Sequence, residues 1–361
     1  MDEIKIMDEI KEMLGALFEA FQQLSQRVDR LESVASFDKE DDGNLFVATL
    51  ADAEILLDSN HGPSGAKYRK KLIDGLIKND VRDDPRRYHN FISALSGCGD
   101  YRLILRLCDY LLTFAPLDRD ILADAILTCG KLCEWELGMG YLSKAELISK
   151  ERWNDKLFIY TGEFLKARFN AYPNDDAYYQ DAMSFAEEFI NYCKHDEHAY
   201  SLKAELLVYA QRRQEAIEFL LDTIRNGYSD DEEKNEKTRI VATQCCVDLL
   251  ELLDDTCNYD LIIEICDKGL RYTHDQRSAR ISSFVYRRAL AYDAKVYAQN
   301  FANKDDIVIA LMHMQSAYTL VTNGEIIANE DKIIEDKYEA LRPYAGEKFV
   351  PLIKRSLAIS E

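Results

Sequence analysis

Between Met7 and Leu31 the apolar positions fall alternately three and four residues apart: Met7, Ile10, Leu14, Leu17, Phe21, Leu24, Val28 and Leu31. This is a heptad pattern, with Met7, Leu14, Phe21 and Val28 at a and Ile10, Leu17, Leu24 and Leu31 at d. It predicts a coiled-coil helix over residues 1–36. Arg27 falls at g and Glu32 at the following e, where they meet across a parallel pair, and leucine at the late d positions favours two strands. Met13 at g and Phe18 at e widen the stripe. The helix therefore either joins a larger assembly or folds back on its own chain.

A second rhythm starts at Tyr88. In "YHNFISALSGCGDYRLILRLCDYLLTFAP" two helical patterns flank a Gly99-Asp100 turn, and Pro116 closes the stretch. Moving forward about 34 residues, the period of a stacked helical hairpin, lands on similar residues. Tyr88, Phe91, Ile92, Leu95, Tyr101 and Cys108 map onto Leu122, Ala125, Ile126, Cys129, Trp135 and Leu142. Continued along the chain, the pattern predicts about six hairpins within residues 85–322, at 85–117, 119–150, 153–195, 197–228, 239–274 and 279–322. The third carries extra residues around "AYPNDDAYYQ" (171–180), and "SDDEEKNEK" (229–237) separates the fourth from the fifth. Insertions in repeats map to loops. The acidic one reads as a solvated connector or, alternatively, a binding loop. Residues 37–84 read as a charged linker and two short helices, and 323–361 as C-terminal capping helices.

Tyr88, Phe91, Leu95, Tyr101 and Pro116 resemble the tetratricopeptide repeat pattern in type and spacing. Ile92 and Ile104 depart from it, standing where glycine and alanine are usual. A second copy carries Tyr200, Ala204, Leu207, Ala216, Leu220 and Ile224, and a third Tyr259, Ile262, Cys266 and Leu270. The resemblance covers about two-thirds of the chain. It implies an all-α solenoid, a right-handed superhelix, in which Ala204 and Ala216 let paired helices approach closely. The first helix of each hairpin then lines a concave groove. By matching spacing that groove includes Arg86, His89, Ser93, His198, Glu205, Tyr209 and Glu251.

Charge narrows the partners. The net charge is −20, so nucleic acid and anionic membranes are repelled, and a basic or neutral protein or peptide suits the groove. One stretch runs against this balance. Lys67, Arg69, Lys70 and Lys71 form a positive cluster, read as a solvated helix face or a contact for an acidic surface of another subunit. The nine cysteines show no framework spacing, and several sit among apolar residues, which points to a reducing compartment and the cytoplasm. No apolar run approaches the ~20 residues that span a bilayer.

A phosphate loop, a dinucleotide fingerprint and a nucleophile elbow are all missing from the sequence, so neither a cofactor nor an enzyme activity is expected. Cys193, His195, Asp196 and His198 are metal-capable residue types, yet they cluster at a connection between helices, where ordinary exposed polar residues are expected, and no metal is assigned. Cys129 and Cys133, one helical turn apart, read as core residues. The leading expectation is a non-catalytic scaffold or adaptor that oligomerises through its first helix. The alternative is a peptide- or ligand-sensing bacterial regulator.

Overall fold

The computed structural model describes residues 65–80, 85–226, 236–273, 279–320 and 330–345. The coiled-coil stretch over 1–36, the acidic insertion up to residue 235 and the last sixteen residues lie outside them. The described residues form fourteen α-helices and no strand. The chain divides into two compact units, with the boundary between Ser149 and Lys150.

The first unit contains α1 (Ala66–Lys78), α2 (Pro85–Gly97), α3 (Tyr101–Leu112), α4 (Arg119–Leu132) and α5 (Trp135–Ala145). Burial follows the sequence recurrence. Tyr88, Phe91, Ile92 and Leu95 are buried on α2, as are Leu122, Ala125, Ile126 and Cys129 on α4. Leu107, Cys108 and Leu111 on α3 repeat as Tyr141, Leu142 and Ala145 on α5. The turns recur too. Gly99 (φ 75°) and Cys133 (φ 58°) are both left-handed. The next amide in each turn, Asp100 or Glu134, donates back to the carbonyl of Leu95 or Cys129. This is the Schellman closure, which uses helix-end carbonyls that would otherwise lack a partner. Gln211 (φ 61°) repeats it in the second unit, with Arg212 donating to Leu207.

α1 packs beside α3 and runs parallel to it. Arg69 meets Asp100, Asp74 meets Arg106, and Asp80 accepts from Tyr110, so positions rise together along both helices. Tyr141 on α5 donates to Asp109 on α3. α1, α3 and α5 therefore form one layer, while α2 packs against α4. Arg69, grouped by sequence with the lysines, is buried against Asp100.

The second unit contains α6 (Asp155–Ala171), α7 (Asp176–Tyr192), α8 (Glu197–Tyr209), α9 (Arg213–Asn226), α10 (Glu236–Leu253), α11 (Tyr259–Tyr272), α12 (Ala279–Ala298), α13 (Lys304–Leu320) and α14 (Glu330–Ala345). Each helix packs on the next in sequence, and α8 also packs on α6 and α10. Aspartate or asparagine caps α6, α7 and α8 through side-chain oxygens that accept first-turn amides. The extra residues near 171–180 do not make a long loop. α6 and α7 are each 17 residues long, and the turn between them is only Tyr172–Asp175. Pro116 likewise lies four residues past the end of α3, in the following turn. At the start of the unit, Phe158 stacks on Phe189 at 5.1 Å, and Lys150 sits 3.8 Å above the Trp153 ring.

Small residues set the closest approaches. A Cβ on Gly269 would lie 2.5 Å from the buried ring of Phe284, so α11 and α12 meet there without room for a methyl group. Ala204 and Ala216 are both buried. α14 closes the unit by burying Ile334, Tyr338 and Leu341. Its Lys337 reaches Asp293 on α12.

Candidate interaction surface

In the second unit the first helices of successive hairpins are joined side by side by polar contacts. Lys166 on α6 donates to Glu205 on α8 at 2.6 Å and to Glu163 of its own helix at 2.7 Å. Ser201 on α8 donates to Asp248 on α10 at 2.5 Å. Gln244, one turn earlier on α10, donates to Asp248 at 2.7 Å, and its carbonyl oxygen accepts from Arg280 on α12 at 2.7 Å. One ladder thus crosses α6, α8, α10 and α12.

The ladder shapes its own charges. Burial works against the Lys166 cation, but the hydrogen bonds to Glu163 and Glu205 outweigh it and raise the pKa. Asp248 is raised above the ordinary aspartate range by burial, and the Ser201 and Gln244 hydrogen bonds offset this only in part.

The expected groove residues fall on both units. Ser93 is exposed on α2, and His89 lies 3.5 Å from Asp124 of α4. Arg86 belongs to α2, but its side chain lies outside the described residues. In the second unit His198, Glu205 and Tyr209 are exposed along α8, and Glu251 is exposed on α10. Of these four, Glu205 enters the ladder directly. Lys166, Ser201, Gln244, Asp248 and Arg280 were missed by spacing alone. Gln244 and Asp248 did carry a signal, since these polar residues one turn apart interrupt the mainly apolar stretch from Ile240 to Leu250.

The histidine-rich connection has a structural role. Asp196 caps α8 by accepting the His198 amide at 2.9 Å, and His195 lies 3.4 Å from Thr238. Among the described residues no group of three or more histidine, cysteine, aspartate or glutamate side chains is arranged to hold a metal ion. None of the nine cysteines forms a disulfide. Burial pushes the Cys129, Cys246 and Cys266 thiols up to about 12, so these three are poor nucleophiles near neutral pH. Cys133 is not part of that core, being exposed in its turn. Among the described residues no helix is long and apolar enough to cross a membrane.

No protein-family model matches the chain, and no curated protein matches it.

Proposed function

We propose that this chain is a non-catalytic interaction scaffold. Its helical hairpins stack as a tetratricopeptide-like right-handed solenoid, and a protein or peptide of basic or neutral character binds along the first helices. The supporting observation is the ladder on α6, α8, α10 and α12. Its contacts tie four first helices into one row, while His198, Glu205, Tyr209 and Glu251 remain exposed along it. Such a row can present side chains from several repeats to one ligand, the usual way stacked repeats recognise partners. The same reading places the protein in the cytoplasm and gives residues 7–31 the task of assembling copies.

Peptide display against the full chain tests the groove. Enriched peptides should be basic or neutral, and Glu205→Lys/Glu251→Lys should lose them. Peptides that bind this variant equally well would place the binding surface elsewhere. Light scattering tests assembly. Replacing Leu17 and Leu24 with Asp should lower the mass of an oligomer while the helical signal persists, and an unchanged mass would refute the coiled coil.

A further inference from the structure

The outward face of α1 differs from the rest of this acidic protein. Lys67, Lys70, Lys71, Asp74 and Lys78 recur at helical spacing on the side opposite buried Leu72, Ile73 and Leu76. α3 lies parallel alongside. The Arg69–Asp100 and Asp74–Arg106 contacts set the register and bring Lys70 and Lys71 level with exposed Arg102.

What separates this face from an ordinary solvated one is which charges are already engaged. Its carboxylates all have partners: Asp74 holds Arg106, Asp80 accepts from Tyr110, and Asp109 accepts from Tyr141. Its cations mostly do not. Lys67, Lys70, Lys71, Lys78 and Arg102 form no ion pair with any described residue. Asp74 is neutralised by Arg106, while Asp80 and Asp109 accept from neutral phenols and keep their charge, so among the described residues the five unpaired cations outnumber the uncompensated carboxylates.

We propose that this outer face of α1 and α3 docks an acidic segment of a partner protein. The lysines from 67 to 78 span about 16 Å at 1.5 Å per residue, the reach of roughly five extended residues. At physiological salt, charges further away than about 8 Å are largely screened, so the local cations outweigh the distant acidic residues. A nucleic-acid duplex fits less well. Three carboxylates, Asp74, Asp80 and Asp109, interrupt the face and would lie against the continuous row of phosphates. This surface lies on the second-helix layer and does not depend on the groove reading.

The test is fluorescence anisotropy with labelled twelve-residue polyglutamate and the full chain. Binding should weaken steeply as salt rises from about 0.05 to 0.2 M, the mark of an electrostatic contact. The variant Lys70→Glu/Lys71→Glu/Arg102→Glu should lose about tenfold or more in affinity with an unchanged helical signal. Glu205→Lys/Glu251→Lys should leave the affinity within about twofold, separating this face from the groove. If the triple variant misfolds, Lys70→Gln/Lys71→Gln/Arg102→Gln provides the same comparison without adding acids. Equal binding by wild type and variant, or none by wild type at low salt, would overturn the proposal. Duplex DNA displacing the peptide at equal charge concentration would replace the protein partner with nucleic acid. A higher-mass species abolished by the triple variant, without peptide binding, would assign the face to a second copy.

Discussion

Two exposed surfaces in this protein are built on the same kind of buried frame and use their charges in opposite ways. Along the first helices of the second unit, Lys166, Asp248 and Arg280 all have protein partners. Across the outer face of α1 and α3 in the first unit, Asp74, Asp80 and Asp109 accept from Arg106, Tyr110 and Tyr141, while Lys67, Lys70, Lys71 and Lys78 form no ion pair with any described residue. Both surfaces are mixed in composition. The difference lies in pairing, which depends on which residue of a neighbouring helix stands level with each charge. The ladder therefore holds most of its charges in shared contacts beside the exposed Glu205 and Glu251, and the α1–α3 face presents cations with no ion pair among the described residues.

The sharpest way to break the comparison lies within one short run. Arg69 sits among the lysines in sequence, but its side chain is only 3% exposed and is bonded to Asp100. Asp100→Ala should cost about 3 kcal/mol in denaturant unfolding, because it removes the ion-pair partner of a buried cation. Lys70→Ala, one residue from Arg69, should change stability by no more than about 0.5 kcal/mol. Similar losses from both would mean that the lysine face is structural.

The frame under the ladder gives the next effect. Gly269→Ala should destabilise by about 1–3 kcal/mol, since the new methyl group meets the buried Phe284 ring and that ring has no solvent to move into. Ala216→Leu should cost a similar ~1–3 kcal/mol by overpacking a fully buried site. Thermal melts of both variants check this, and an unchanged melting temperature for either would show slack in the core. Within the ladder, Asp248→Ala should cost about 1–2 kcal/mol by stranding Ser201 and Gln244. Lys166→Ala should cost less than about 1 kcal/mol, as its Glu163 and Glu205 partners keep access to water.

These magnitudes track what the sequence made legible. The all-helical character followed from apolar periodicity, and the recurrence from Leu95 to Cys129 returns as the same turn closure. Such features are local, or repeat at a fixed interval. The extra residues near 171–180 were legible as an addition but not as longer helices, because Tyr172–Asp175 alone supplies the turn and the flanking residues simply continue the helical periodicity. The charged partners were not legible. Arg69 finds Asp100, 31 residues away, and Ser201 finds Asp248 at a separation of 47. These separations depend on helix lengths and turn closures that vary from one hairpin to the next. A basic run therefore looked uniform although one of its members, Arg69, is buried. The residues expected to line a groove were placed by repeat position alone, and His198, Glu205 and Tyr209 are exposed along α8, but the contacts that join α8 to α6 and α10 could not be read that way.

The smallest expected effect concerns pH and contrasts two titrating groups on the helices that end the second unit. His313 on α13 stacks on Tyr292 at 4.6 Å. Burial, with Arg288 adding repulsion, lowers its pKa below the ordinary 6.5, and Asp267 opposes this only in part. The unfolded chain then binds the proton more readily than the folded one. Stability from the neutral ring is present above pH 6.5 and is lost as pH falls toward the folded pKa. Asp293 on α12 runs the other way. Burial raises its pKa above 3.8 despite Lys337, so the folded chain holds that proton more tightly, and this contribution is lost as pH rises through the folded pKa. The two terms therefore change stability in opposite directions as pH falls. Melting curves taken from pH 7 downward should show a modest fall in stability that His313→Gln flattens. Asp293→Asn should leave that fall in place. A fall that persists in His313→Gln would assign it to other carboxylates.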